Sequence, residues 1–429
     1  MINLRHMLLS VLYAAALSWL LLYEIVPQWS YMNYVGEYTL QGFLAALGAS
    51  AVLGMSVPLN YDGRTMLIGS LNYLYFVPSA VYIYLSYSNK YHLYSFIILS
   101  IGVYYISRIN VYRINFAEIR QNTALTGIAM LIILAVVAQI AFGGLRYFSL
   151  DIGSVYEFRD LAAREIPSLF GYIFSNVASV LVPVGLILSV RLRRFILAGL
   201  MMASAVVLFG MTQHKSVLFT PFVVVILYFC FIKGRSPYLV GGAFLIIPLL
   251  AIAEVFYVRE VIQSADVPYF NSIVVRRLLF TPVMLDSLYT DFFSHNPKLY
   301  WSTSKFGSWA VENIYNNTAP YIIGIEYFSS DEMAANSGAI GSGFSHFGLF
   351  GVIIYSVAIG FTISILNSYG NIIGHAFVAA VSLKVIFGVV TTTDFTTGLL
   401  SHGLILLLVV LGLFSSAAQR EKRESVMQK

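Results

Sequence analysis

Runs of about twenty apolar residues recur from one end of this chain to the other, and they constrain its fold more than any motif does. A bilayer core of about 30 Å is crossed by roughly 20 residues of helix. Unpaired backbone inside it costs several kcal/mol per group, so only helices and closed barrels cross. The runs are continuous rather than alternating, which selects helices. Only 10% of the 429 residues are charged and mean hydropathy is +0.79, where a soluble domain carries about 25% charge. The expected fold is all-α: a polytopic transmembrane helix bundle with a large, partly helical periplasmic loop. Residues 1–429 are expected to form a single integral membrane domain.

The apolar runs predict about twelve spans, at 8–26, 38–58, 65–86, 93–107, 123–143, 168–190, 195–212, 216–232, 238–257, 346–366, 374–392 and 397–416. Pro27 to Trp29 follows the first run where a cleavage site would need small residues, so that run reads as a retained helix rather than a signal peptide. An N-terminus inside places fourteen Lys and Arg but four acids in the cytoplasm, for a net +10, and leaves the outer side at −6. The reverse orientation breaks the positive-inside rule at almost every loop. Both termini are then cytoplasmic, and the two largest loops, 144–167 and 258–345, are periplasmic. The implied location is a bacterial inner membrane.

Several functions are excluded or disfavoured by what is missing. The cytoplasmic loops are too short for a nucleotide-binding domain, and neither a Walker A loop nor a GxGxxG fingerprint occurs. Cys230 is the sole cysteine, which excludes an intrachain disulfide and a cysteine metal cluster. There is no HExxH, and the first outer loop, 27–37, lacks the carboxylate pair of metal-dependent lipid-linked glycosyltransferases. No metal and no cofactor are expected. The basic charge is dispersed over short loops and does not indicate nucleic acid.

Polar chemistry concentrates outside. A transferase there has no nucleotide-sugar supply and needs an activated lipid, such as a polyprenyl diphosphate sugar. Its diphosphate suits bidentate arginines. In loop 144–167, Ser154 and Glu157 fit a capping box, and Ile152, Val155, Phe158, Leu161 and Ala162 recur as one apolar face. Asp160 and Arg164 stand four apart and can pair; Arg159 projects elsewhere. This short amphipathic helix reads equally well as an arginine-bearing rim or as an interfacial helix with a solvated charged face. In the turn Gly210–Lys215, Lys215 either snorkels or binds an anion, and His214 reads as a plain loop residue. Arg259 and the adjacent Arg276 and Arg277 open the long loop, as anion ligands or as anchors to lipid phosphates. The glycine-rich stretch 335–351 enters the tenth span with Asn336 and His346 at the membrane edge. His346 is a candidate general base, though a packing histidine is the commoner use. Lys384 is the one basic residue well inside a span.

These features resemble the bacterial O-antigen polymerases (Wzy), the oligosaccharide repeat-unit polymerases. The likeness covers the layout of nearly the whole chain: about twelve spans, an arginine-bearing outer loop near the middle and a large one late. Locally it rests on the Gly210 to Lys215 turn and on Asn336–Ser–Gly–Ala–Ile–Gly341 with Phe347–Gly348–Leu–Phe–Gly351. O-antigen ligases share the layout but carry a histidine where Asn336 stands, which favours polymerase. The resemblance implies transfer of a glycan from undecaprenyl diphosphate to the end of a new lipid-linked repeat unit, at the outer leaflet and without metal. Donor and acceptor are both undecaprenyl-diphosphate-linked oligosaccharides held in membrane lipid, and a chain-length regulator protein is a candidate partner. Arg159, Arg164, Lys215, Arg259, Arg276 and Arg277 are the expected diphosphate ligands. Glu157, Asp160 and His346 are the candidate bases. A flippase or other secondary transporter is the alternative from another class; transporters are often built as two similar halves, and none are visible here.

Overall fold

A computed structural model describes residues 3–86, 88–111, 121–151, 167–233, 238–264, 266–304 and 307–427. All regular structure among them is helical. Among the described residues, nine helices are long and apolar enough to cross a membrane: Leu4–Met32, Gly63–Leu85, Gln121–Ala141, Phe170–Arg191, Phe195–Thr212, Lys215–Ile232, Val240–Val261, Leu349–Ile373 and Phe395–Ser416. Two shorter apolar helices are Leu40–Ser56 and His375–Thr391. We number them in chain order together with the other helices: α1 Leu4–Met32, α2 Leu40–Ser56, α3 Gly63–Leu85, α4 Lys90–Ile101, α5 Gln121–Ala141, α6 Phe170–Arg191, α7 Phe195–Thr212, α8 Lys215–Ile232 and α9 Val240–Val261. The long segment between α9 and the next apolar helix holds α10 Asn271–Phe280, α11 Thr281–His295, α12 Ala319–Phe328 and α13 Ala339–Phe347. The chain ends in α14 Leu349–Ile373, α15 His375–Thr391, α16 Phe395–Leu400 and α17 Leu404–Met427.

Short polar residues start these helices. Asn3, Thr39, Asp62 and Asn89 each accept a first-turn backbone N–H on their side chains, satisfying donors that have no intrahelical partner. Prolines set the internal irregularities. Pro27, Pro78, Pro183 and Pro282 each stand two residues past the end of a π-helical segment. A proline cannot donate to the preceding turn and its ring crowds that turn's carbonyl. A widened turn relieves both problems and leaves a local bulge of the kind often found at functional sites.

Contacts divide the chain into two compact units rather than one. The first comprises 1–110, 234–364 and 387–396; the second comprises 111–233, 365–386 and 397–429. In the first unit α3 is buried on all sides, so its polar groups need internal partners. They have them: Asn72 donates to Ser10 Oγ at 2.9 Å and accepts from Tyr104 at 2.8 Å, and Tyr73 meets His6 Nδ1 at 2.9 Å. The glycine-rich stretch does not run straight into the tenth span. It forms α13, which stops at Gly348 with φ +64°, and α14 starts afresh. A β-carbon on Gly351 would lie within 1.9 Å of the Gly343 carbonyl. Small residues let the two helices fold back on each other here.

The second unit packs α5, α6, α7, α8 and α17. An apolar groove of about 510 Å³ opens among α5, α6 and the α16–α17 segment, lined by Leu131, Leu134, Phe170, Phe174, Leu400 and Ile405 among others.

Candidate functional site

Arg276 and Arg277 stand on α10, in the first unit. Glu254, near the end of α9, accepts the backbone N–H groups of Phe270 and Asn271, both at 2.8 Å. A carboxylate at the positive end of a helix is favoured by its dipole, and this one fixes where α10 begins. Arg276 follows one and a half turns later, with only 4% of its surface exposed. Its guanidinium carbon lies 3.6 Å from the ring centre of Trp29. One terminal nitrogen donates to Ser272 Oγ at 3.1 Å, while buried Nε has no hydrogen-bond partner. Tyr34 adjoins it and meets Thr281 Oγ1 at 2.6 Å. No carboxylate among the described residues lies within ion-pair distance of Arg276. Burial therefore pulls the guanidinium below its ordinary pKa, partly offset by Tyr34. A buried cation without an anion is costly, and none of the described residues supplies one here. Arg277, the next residue, is exposed.

Arg259 is arranged differently. It lies 3.5 Å from Glu24 and donates to the Ser264 carbonyl at 3.3 Å. Glu24 also accepts from Gln28 at 2.6 Å. Its counter-charge is thus supplied within the chain.

Asp286, on α11, is fully buried. Its carboxylate accepts from Tyr75 at 2.5 Å, from Ser337 at 2.6 Å and from the Gly341 N–H at 3.1 Å. It thereby joins α11 and α3 to the first turn of α13. Burial pushes its carboxyl up to about 7, against the pull of those donors. Asn336, just before this joint, is exposed, and its nearest partner is the Ala334 carbonyl at 3.4 Å.

His346, at the end of α13, has both ring nitrogens engaged. Nδ1 accepts the Trp301 backbone N–H at 3.2 Å, which assigns the proton to Nε2, and Nε2 faces Asp394 at 3.2 Å. Asp394 also accepts from Tyr355 at 2.7 Å, from the Thr396 N–H at 2.8 Å and from the Thr396 hydroxyl. Burial pushes this carboxyl up, but those donors and His346 outweigh it and hold it well below the usual carboxylate range. The cluster braces two residues in left-handed backbone: Tyr300 at φ +47° and Trp301 at φ +62°. Such a conformation costs a non-glycine residue roughly 1–2 kcal/mol, and it persists where surroundings over-determine it.

Lys215 belongs to the second unit. Gln213, with φ +57°, shapes its turn, donating to the carbonyls of Tyr147, Ser149 and Gly210. Lys215 is half-buried and engaged. Lys384, also half-buried, donates to Ser179 Oγ at 3.2 Å. Glu157, Arg159, Asp160 and Arg164, with the capping box at Ser154, lie outside the described residues. Among those described, no three His, Cys, Asp or Glu side chains gather as metal ligands do.

The expected residues thus fall into separate settings: Arg276 under Trp29, Arg259 on Glu24, His346 on Asp394. Reasoning from sequence passed over Trp29, Asp286 and the role of Asp394. A lone acid in the apolar run Pro282–Leu288 was the available signal for Asp286. No family model, curated protein or solved structure matches this chain.

Proposed function

We propose that this protein is a repeat-unit polymerase of the outer leaflet. It transfers a growing glycan from undecaprenyl diphosphate to the terminal sugar of a lipid-linked acceptor. The observation that carries the reading is Arg276: a nearly buried guanidinium on α10 with no carboxylate partner among the described residues. In this account about twelve spans cross a bacterial inner membrane with both termini in the cytoplasm, counting α2, α4 with its following π turn, and α15 among them.

The acceptor hydroxyl attacks the anomeric carbon of the donor. The glycosidic carbon–oxygen bond breaks, and undecaprenyl diphosphate leaves with the electron pair. Arg276 stabilises that developing charge through its paired N–H groups, with Trp29 displaced from the guanidinium by the incoming diphosphate. Arg277 adds an exposed positive charge beside it. A carboxylate takes the hydroxyl proton. Glu157 and Asp160 serve that role better than His346, whose Nδ1 lone pair already accepts a backbone N–H. The transfer needs neither nucleotide nor metal. The apolar groove of the second unit suits a lipid chain by composition.

The test is the surface polysaccharide of a deletion strain, separated on a gel. Single repeat units only, restored to a ladder by the gene, is the expected outcome. Lipid-linked polymer that never reaches the surface means a ligase, and complete loss of outer glycan means a flippase.

A further inference from the structure

Tyr300 and Trp301 are unused by that mechanism, yet they are the most deliberately held aromatics on the outer side. Their backbone is fixed at successive points. Leu299 N–H donates to the Ser345 carbonyl at 2.9 Å, Tyr300 N–H to the His346 carbonyl at 3.1 Å, and Trp301 N–H to His346 Nδ1. The Trp301 indole N–H reaches Tyr355 Oη at 3.2 Å, and Tyr355 in turn donates to Asp394. Phe347 props both rings edge-on, its centroid 5.7 Å from Tyr300 and 5.0 Å from Trp301. Despite this bracing, 51% of Tyr300 is exposed.

We propose that Tyr300, set by Trp301 and Phe347, is an aromatic platform for a pyranose ring of the glycan. This takes its substrate class from the polymerase reading. A pyranose presents a C–H face that packs on an aromatic ring, and hydroxyls around its edge that need polar neighbours. Tyrosine supplies an apolar face with a polar tip. The platform's brace is itself polar, and Asp394 within it keeps 19% of its side chain exposed. An aromatic that only anchors a loop at the membrane interface needs neither left-handed backbone nor a carboxylate behind it. Residues held in sparsely populated backbone cluster at ligand clamps, and here the strain turns the Tyr300 ring outward.

Glycine adopts φ +47° without a β-carbon penalty, so Tyr300→Gly removes the ring while easing the backbone. The probe is the host's own surface polysaccharide, freed of lipid by mild acid and titrated into the full-length protein in nanodiscs. Tyr300→Gly weakens binding at least tenfold, with melting temperature unchanged or raised; Trp309→Ala, at a still more exposed aromatic of the same segment, binds as wild type does. If Tyr300→Gly does not fold, Tyr300→Asn, which tolerates the same backbone, shows the same loss. Wild-type binding by the Tyr300 variants, equal loss in Trp309→Ala, or no binding by the wild type overturns the platform. A ladder that persists in the deletion strain, together with the tenfold loss, discards the polymerase and keeps the glycan site.

Discussion

Arg259 and Arg276 begin as the same prediction and end in opposite settings. Arg259 lies in the last turn of α9 and Arg276 on α10, and both belong to the first unit. Arg259 meets Glu24 and leaves a third of its side chain in the open. Arg276 is nearly buried against Trp29, with no carboxylate in ion-pair range among the described residues. The difference teaches where to look for a ligand: at the charge for which no described residue supplies a partner. An arginine with its own acid has its charge balanced within the fold; one without is the better candidate for an anion site.

The largest expected effect comes from Arg276→Met. Losing a donor aimed at developing charge costs on the order of 2.7–4 kcal/mol in the barrier, or about 10²–10³ in rate. Removing a buried unpaired cation leaves stability equal or higher. Polymerisation by purified protein and a melting curve check both halves; normal activity breaks the contrast with Arg259.

Glu24→Gln acts on the other arginine. It strands the charge of Arg259 and destabilises by about 1–3 kcal/mol, less than a fully buried pair because Arg259 is partly solvated. The double variant with Arg259→Gln recovers part of that. Additive losses in the cycle mean the pair does not couple.

Asp286 gives a pH test on the helix that continues from α10. Its folded value of about 7 lies above its ordinary 3.8. The stability it contributes is therefore fully present at acid pH and lost as pH rises toward 7, beyond which it levels off. Thermal stability of wild type relative to Asp286→Asn should fall over that window; a flat difference removes the burial argument.

Smaller still, Glu254→Gln weakens the two bonds that start α10 at a cost of about 1 kcal/mol. Glycan chains shorten slightly as Arg276 loses its exact placement, and unchanged lengths on a gel show that Glu254 does not position it.

Hydropathy alone located the nine described helices long and apolar enough to cross a membrane, because about twenty apolar residues in a row have few other uses. It missed the break at Gly348, since Phe347, Leu349 and Phe350 keep the run apolar and only the backbone angle interrupts it. Charge counting singled out Arg276, as positive residues are scarce outside. Its burial was not legible, because Trp29 and Tyr34 reach it from the far end of the first span, distant in sequence. Asp394 was visible only as an acid at a helix end; the four donors around it come from α13, α14 and its own turn.

The most direct test compares Arg276→Lys with Arg259→Lys in the deletion strain at equal protein level. Lysine keeps the charge of each arginine but loses the paired N–H fork. The account predicts that Arg276→Lys collapses the ladder to a few repeat units while Arg259→Lys retains wild-type chain lengths. Wild-type ladders from both variants would contradict a diphosphate clamp at Arg276.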